Sequence, residues 1–156
     1  MPYQPETAFQ EMARGDASAV EFLRAIYIGS QILDDLIDKD KPVTAEMAVW
    51  SQTHLICTVA TNSFFQAHKA TLIPVICTSA LAFIASEERK NHPDVLERLT
   101  AQVLKSEYLN VFLAVSFCVG GWQHAAEMSR KYREYSFDNE PVQAPEIKLD
   151  KPTEIG

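Results

Sequence analysis

Four aspartates that lie close together are the residues of this sequence best suited to do chemistry. They are Asp34, Asp35, Asp38 and Asp40, at the end of an apolar segment. On a helix, Asp34 and Asp38 lie one turn apart and Asp35 adjoins Asp38, so three carboxylates project from one flank. Hard cations such as Mg²⁺ prefer oxygen ligands and usually take one or two carboxylates together with substrate phosphates. The spacing therefore predicts a Mg²⁺ site formed by Asp34, Asp35 and Asp38.

The energetic cost of this cluster also bears on its role. Acids at a helix C-terminus oppose the helix dipole by about 0.3–1 kcal/mol each, and like charges one turn apart add further repulsion. Local conflicts of this kind are expected preferentially at functional sites. The alternative is a solvated helix end that Lys39, Lys41 and other basic side chains neutralise. The sequence leaves both interpretations open.

A metal site at the aspartates needs further ligands from the same flank or from opposing helices. Glu107 lies one turn from Asn110 in an apolar segment, where buried polar groups must find partners. His124 and Glu127 have the three-residue spacing of helical metal sites, but in the reverse of the Glu-then-His order of di-iron bundles. The candidate outer or opposing ligands are Gln31, Asp40, Glu107 and His124.

The elements that must position these residues are helices. Glycines and prolines divide the chain, and between them apolar residues recur at the spacing of an amphipathic helix rather than in alternation. We predict helices over residues 8–14, capped by Thr7, 17–38, capped by Asp16, 45–60, capped by Thr44, 64–69, 74–90, 93–119 and 122–135. The fold class is therefore all-α, a single-domain bundle of about five to seven helices over residues 1–135, with a flexible Pro- and charge-rich tail over 136–156.

The apolar residues indicate which faces should be buried. The helix before the aspartates carries one continuous apolar face that ends with Leu33 and Ile37. In the next helix the expected inner stripe is Met47, Trp50, His54 and Cys57. Residues 71–86 and 108–122 are predicted to be buried core helices rather than membrane spans, because they are short or interrupted by polar residues and glycines.

Charge and cysteine usage narrow the partners and the compartment. Fourteen basic residues against twenty-one acidic ones give a formal net charge of −7, which disfavours nucleic acid and anionic membrane surfaces as partners. Cys57, Cys77 and Cys118 lie in apolar runs and are predicted to be reduced core thiols. No signal peptide is visible at the N-terminus. The expected location is the cytoplasm.

The segment GSQILDDLIDKD, residues 29–40, resembles the aspartate-rich DDxxD motif of the polyprenyl diphosphate synthases. The resemblance implies that Asp34, Asp35 and Asp38 bind Mg²⁺-diphosphate, that Gln31 lines the cavity, and that the local packing is isoprenoid-synthase-like. Those synthases carry two such motifs and basic clusters that grip the diphosphate, whereas this chain has one DDxxD and is far shorter. A complete prenyl synthase is therefore not expected.

A longer part of the chain is similar to short uncharacterised helical proteins of tailed phages and bacteria. The segments that carry this resemblance are FLRAIY, DDLIDKDKPVT, NSFFQAHKATLIP and GGW. It implies an all-α fold and no particular activity.

Three functions stay open at this point, and with them the question of whether the protein is an enzyme. The first is a small phage or bacterial helical protein with a Mg²⁺ site at the aspartates. The second is a Mg²⁺-dependent enzyme acting on a diphosphate compound, like an isoprenoid synthase or an all-α nucleotide pyrophosphohydrolase. The third is a non-catalytic helical interaction protein whose acidic helix end engages a basic partner and whose apolar surplus forms a homo-oligomer interface.

Overall fold

The computed structural model describes residues 5–133, and in this range the protein consists of six α-helices without any strand. The helices are α1, Pro5–Met12; α2, Ala17–Asp38; α3, Ala45–Thr61; α4, Ser63–Arg89; α5, Val95–Ser106; and α6, Leu109–Tyr132. The all-α prediction is thus confirmed. The predicted tail over 136–156 and the predicted helix end at Tyr135 lie outside the described residues.

Two of the predicted helix starts are confirmed by their capping hydrogen bonds. The side chain of Asp16 accepts from the Ala19 N–H at 2.8 Å, and that of Thr44 accepts from the Met47 N–H at 3.1 Å. The first helix begins at Pro5 instead of Ala8, so the prediction that Thr7 caps it was wrong. Proline suits a first helical turn, where the missing N–H would have no intrahelical partner.

Two predicted helix boundaries in the second half of the chain were wrong. Pro74 lies inside α4 and does not begin a helix. An internal proline costs a helix about 3 kcal/mol, but burial of Phe64, Phe65 and Leu72 on the preceding turns stabilises the continuous form. The predicted helix over 93–119 is interrupted at Glu107, whose carbonyl accepts a hydrogen bond from the Ser79 hydroxyl at 3.1 Å.

The glycine pair before the last predicted helix bends α6 without ending it. Gly121 has φ +70° and ψ −167°, a conformation that strains any residue with a side chain. At Gly120 a Cβ would lie 2.6 Å from the His124 side chain, so this position also requires glycine. The bend redirects the end of α6 towards α1, where His124 Nε2 donates to the Met12 carbonyl at 3.1 Å.

The hydrophobic core lies at one end of the bundle. Phe22 on α2 is fully buried and stacks on Phe65 of α4, with ring centroids 5.5 Å apart. Phe9 of α1 stacks on Phe112 of α6 at 6.0 Å. The large apolar residues of this core come from α1, the first half of α2, the start of α4, and α6. Burial of these aromatic rings provides the main stabilisation of the fold.

Helix α3 packs on α2 through a face that its sequence pattern did not identify. Ser51 and Thr58 are its fully buried side chains, and Leu55 reaches the backbone of α2 at Gly29. The expected inner stripe was wrong, since Trp50 is 51% exposed and Met47 is also exposed. Because α3 is apolar around most of its circumference, periodicity could not distinguish its inner face. Small side chains allow the close approach to α2.

The second half of α4 is only partly buried, contrary to the prediction of a buried core helix over 71–86. After Leu72 no large apolar side chain of α4 is fully buried, and Leu81 is 64% exposed. Cys57 and Cys77 are exposed and Cys118 is half-buried, so the prediction of core thiols was wrong for the first two. Burial raises the pKa of the Cys118 thiol.

Two stretches of the described chain are long and apolar enough to cross a membrane by length and composition alone. They are Ser63–Arg89, which is α4, and Val95–Tyr132, which comprises α5 and α6. Core helices of soluble proteins meet the same criterion when they are buried. In α4, however, only 17% of the most apolar 18-residue stretch is buried, so most of this apolar surface lies outside the core of the single chain.

Replacing Asn62 with alanine tests the junction between α3 and α4. Asn62 is 3% exposed, its Oδ1 accepts from the Phe65 N–H at 2.8 Å, and its Nδ2 donates to the Ser18 carbonyl at 2.9 Å. We expect Asn62→Ala to lower the free energy of unfolding by about 2–3 kcal/mol, because it removes a helix cap and leaves the buried Phe65 N–H without its acceptor. Thr44→Ala, at an exposed cap, should cost about 1 kcal/mol. Urea unfolding measures both, and equal losses would contradict the assigned role of Asn62.

Candidate functional site

The acidic end of α2 lies where α2 meets the end of α4 and the end of α5. Helix α2 ends at Asp38, and the next residue, Lys39, adopts φ +60° and donates its N–H to the Asp35 carbonyl at 3.0 Å. The predicted end of this helix near Asp38 is confirmed. Near this end Asp34 and Asp38 face the neighbouring helices, whereas Asp35 faces the loop that follows α2.

Two lysines from distant parts of the sequence contact these carboxylates. Lys105 Nζ of α5 lies 3.2 Å from Asp34 Oδ1 and 3.5 Å from Asp38 Oδ2. Lys90, which follows the last residue of α4, pairs with both Asp38 and Glu87. The result is a chain of alternating charges, Asp34, Lys105, Asp38, Lys90 and Glu87, which we call the acid–lysine network. Its side chains are 21–36% exposed, so their charges are only partly screened by solvent.

Asp35 is separated from the other two predicted ligands. It pairs with Lys41 of the following loop at 3.3 Å. A hollow of about 440 Å³ adjoins this pair and is lined by Asp35, Leu36, Lys39, Asp40, Lys41, Pro42 and Val43. The structure thus brings Asp34 and Asp38 together at Lys105, whereas Asp35 and Asp40 border the loop. The ion pair between Lys41 and Asp35 agrees with the alternative interpretation, in which nearby lysines neutralise the aspartates at the end of α2.

The remaining candidate ligands lie elsewhere. Gln31 is exposed. Glu107 Oε2 accepts from the Asn110 amide at 2.8 Å, and Asn110 in turn accepts from Arg133 at 3.3 Å. His124 contacts α1 through the Met12 carbonyl. Within residues 5–133, no three or more histidine, cysteine, aspartate or glutamate side chains are grouped so that they could hold a metal ion.

The acid–lysine network shifts the protonation of its members. Burial alone would raise the pKa of Asp38, but the hydrogen bond from Lys90 and the charges of Lys105 and Lys90 outweigh it, so this pKa lies below its ordinary value. The hydrogen bonds that Lys90 makes with Asp38 and Glu87 raise the pKa of the Lys90 ammonium. Both groups are therefore held in their charged forms.

The acid–lysine network performs one clear task, which is to attach the exposed end of α2 to α4 and α5. The sequence predicted that Lys39 and Lys41 neutralise the aspartates and that Glu87 and Glu88 pair with Arg89 and Lys90, and the pairs Glu87–Lys90 and Glu88–Arg89 are confirmed. It did not identify Lys90 and Lys105 as partners of Asp34 and Asp38. A signal was present, because basic residues at the last turn of a helix favour its C-terminus, and Lys90 and Lys105 both occupy such positions. Which carboxylate they contact depends on the packing of the helices.

Comparison of the chain with protein-family models, with curated proteins and with solved structures gave no match. The function is therefore inferred from the geometry of this chain.

Replacing Asp38 with asparagine should remove the centre of the acid–lysine network. Because the folded pKa of Asp38 is lowered, its stabilisation is fully present above the ordinary carboxyl pKa of about 3.9 and is lost as pH falls through the lower folded value. We expect Asp38→Asn to unfold at lower urea concentration than the wild type at neutral pH, with the difference shrinking below about pH 4.

The matched control for this experiment is Asp40→Asn, which changes an exposed carboxylate of the same loop region and should leave the urea midpoint unchanged. High salt should also reduce the effect of Asp38→Asn, because partly exposed ion pairs are screened. If Asp38→Asn and wild type unfolded identically at neutral pH, the network would not stabilise the fold.

Proposed function

We propose that the protein is a non-catalytic helical interaction protein that presents apolar helix faces to a protein partner. The observation that carries this proposal is the outer surface of α3. Val49 and Ile56 are each 66% exposed and lie two turns apart, so they share one face of the helix. Trp50, adjacent on this surface, is also half exposed. Contiguous exposed apolar residues mark interaction sites on soluble proteins.

The acid–lysine network supports a structural role for the aspartates in this proposal. Asp34 and Asp38 are neutralised by Lys105 and Lys90 of the same chain. An acidic helix end that is already paired internally offers little free charge to a basic partner. We therefore assign partner binding to the apolar faces rather than to the acidic end of α2.

The cytoplasm is the compartment we propose for this interaction. The net charge of −7 disfavours an anionic membrane surface, and the resemblance to short helical phage and bacterial proteins is in keeping with an accessory role inside a bacterial cell.

A photo-cross-linking amino acid at Val49 tests this proposal in bacterial cells that contain the protein. We expect a discrete cross-linked product heavier than the monomer, because an interface residue lies within reach of the partner. The product should persist when divalent cations are chelated. The same amino acid at Glu21, an exposed position of α2, is the control and should give no discrete product. Absence of a specific product at Val49, and then at Ile56, would exclude α3 as the binding surface.

A second candidate function is Mg²⁺-dependent binding of a diphosphate compound. The specific observation in its favour is that Lys90 and Lys105 lie against Asp38, so cations that could contact a diphosphate adjoin carboxylates that could hold Mg²⁺. The residue types fit such a ligand, but Lys105 already neutralises both Asp34 and Asp38. The lysine would have to exchange its carboxylates for the phosphate.

Calorimetric titration with Mg²⁺ and inorganic pyrophosphate tests this second candidate. We expect heat of binding for the wild type and for Asp40→Asn, and loss of binding for Asp38→Asn, because only Asp38 contacts both lysines. Circular dichroism confirms that each variant is folded. Wild-type protein that gave no heat with Mg²⁺ and pyrophosphate together would eliminate this candidate and leave the first one intact.

A further inference from the structure

The outward face of α4 carries no charged side chain over more than four turns. Between Lys69 and Glu87 the helix contains no acidic or basic residue. Its exposed residues in this stretch include Ala70, Ile73, Cys77, Ala80, Leu81 and Ile84. A solvated helix face of this length normally carries charge, and a helix that is apolar on most sides is normally covered. Another apolar element is therefore needed to cover α4.

The spacing of the exposed residues indicates that a helix covers this face. Ala70, Ile73, Cys77, Ala80 and Ile84 follow one another at alternating intervals of three and four residues. This alternation produces a straight seam along which a second helix packs at a shallow angle. The small side chains of Ala70, Cys77 and Ala80 leave room for a close approach between the two helices.

We propose that the covering element is α4 of a second copy of this chain, packed antiparallel about a two-fold axis. This inference rests on the proposed function, in which apolar helix faces bind protein, and it names the partner for one of them. Any two-fold pairing joins the same surface of both copies, so the surface must be complementary to itself. The surface of α4 is complementary to itself both in its charges and in the sizes of its side chains.

The charges that end the apolar face have opposite signs. Lys69 precedes it and Glu88 follows it, with the Glu88 side chain 70% exposed. An antiparallel pairing brings the Lys69 end of each copy towards the Glu88 end of the other, whereas a parallel pairing would bring like charges together. Arg89 lies 3.9 Å from Glu88, the long limit for an ion pair, so it leaves the Glu88 carboxylate available to an intermolecular contact.

The side chains also match in an antiparallel register. When the axis passes midway between Cys77 and Ala80, each Ile73 lies level with the partner's Ile84. In the same register each Cys77 lies level with the partner's Ala80. Large side chains then meet at the two ends of the seam and small ones meet at its centre, which is favourable for close packing of two helices.

An interface of ordinary size needs a contribution from α5 beside the seam of α4. From Ala70 to Ile84 the seam is about 21 Å long. A standard interface buries about 800 Å² on each partner, which exceeds what one narrow helical seam supplies. Helix α5 packs beside the second half of α4 and adds two exposed apolar residues, Leu96 and Val103, which lie two turns apart on one face. We infer that this face of α5 contributes to the interface beside α4.

A lipid bilayer is a less favourable cover for α4. Helix α5 runs alongside its second half, where Arg89 pairs with Glu97 at 3.1 Å and Ser79 contacts the Glu107 carbonyl. Lys105 of α5, with its carboxylate partners, therefore lies level with the apolar face rather than beyond its end. Ionised side chains at membrane depth cost about 2.5–3.5 kcal/mol each, so a protein surface covers this helix at lower cost.

Sedimentation equilibrium of the purified full chain tests the inference. We expect a dimer for the wild type, and an increase of at least about 30-fold in the dimer dissociation constant for Ile84→Asp, because a charge in each of the two Ile73–Ile84 contacts removes the energy of the largest apolar contacts of the seam. The matched control is Ile56→Asp, which introduces the same charge at an exposed isoleucine of α3 and should leave the dimer unchanged. Circular dichroism checks that each variant remains helical.

A disulfide experiment tests the orientation without a destabilising substitution. In a Cys57→Ser background, Ala80→Cys places a second thiol level with the partner's Cys77, and oxidised glutathione should link the two copies through Cys77 and position 80. Ala70→Cys, another exposed alanine of the same seam, should not give this product, because it lies level with the partner's Glu87. A parallel seam would instead link Cys77 to the partner's Cys77 in the background protein.

The outcomes separate this inference from the proposed function. A wild-type protein that sediments as a monomer, or that binds phosphatidylcholine–phosphatidylglycerol vesicles as a monomer, overturns the antiparallel dimer. A dimer that survives Ile84→Asp and dissociates with Ile56→Asp also overturns it, because α3 would then be the interface. The photo-cross-link at Val49 decides the proposed function independently of these results.

Discussion

Burial of Phe22 against Phe64 and Phe65 is the interaction on which the rest of the structure depends. It joins the first half of α2 to the start of α4, and α1 and α6 complete the aromatic core around the same point. Because the apolar burial is concentrated at this end, the second half of α2 must be held by other means. The acid–lysine network serves that purpose, since Lys90 and Lys105 attach the end of α2 to α4 and α5. The aromatic core thus holds the first half of α2, and ion pairs hold its end.

Local signals in the sequence were sufficient to predict most of the helices but not their surroundings. Caps such as Asp16 and Thr44 act within three residues, so they could be identified from the sequence alone. Pro74 misled because the stability of α4 comes from tertiary burial of Phe64 and Phe65, which outweighs the local cost of proline. The inner face of α3 was wrong because an evenly apolar helix has no periodic signal.

The candidate site shows the same limit. The spacing of Asp34 and Asp38 correctly placed them on neighbouring turns of one helix end, but their partners are more than fifty residues away in the sequence. Nothing in a single sequence assigns a lysine to a particular carboxylate, because that pairing follows from how the helices pack. The predicted Mg²⁺ site and the lysine pairs of the structure use the same carboxylates, Asp34 and Asp38. For this reason a metal-binding role and a structural role predict different effects of replacing Asp38.

The bend at Gly121 brings the end of α6 back to α1, where Glu11 accepts from Lys131 and from the Tyr132 hydroxyl, each at 2.5 Å. These contacts join residues 120 and 121 positions apart, close to the full length of the described chain. Contacts of such separation carry the largest loop-closure entropy and form late in folding. During synthesis on the ribosome, α1 emerges long before α6 and cannot make these contacts until α6 has been synthesised, so completion of the core is coupled to synthesis of α6.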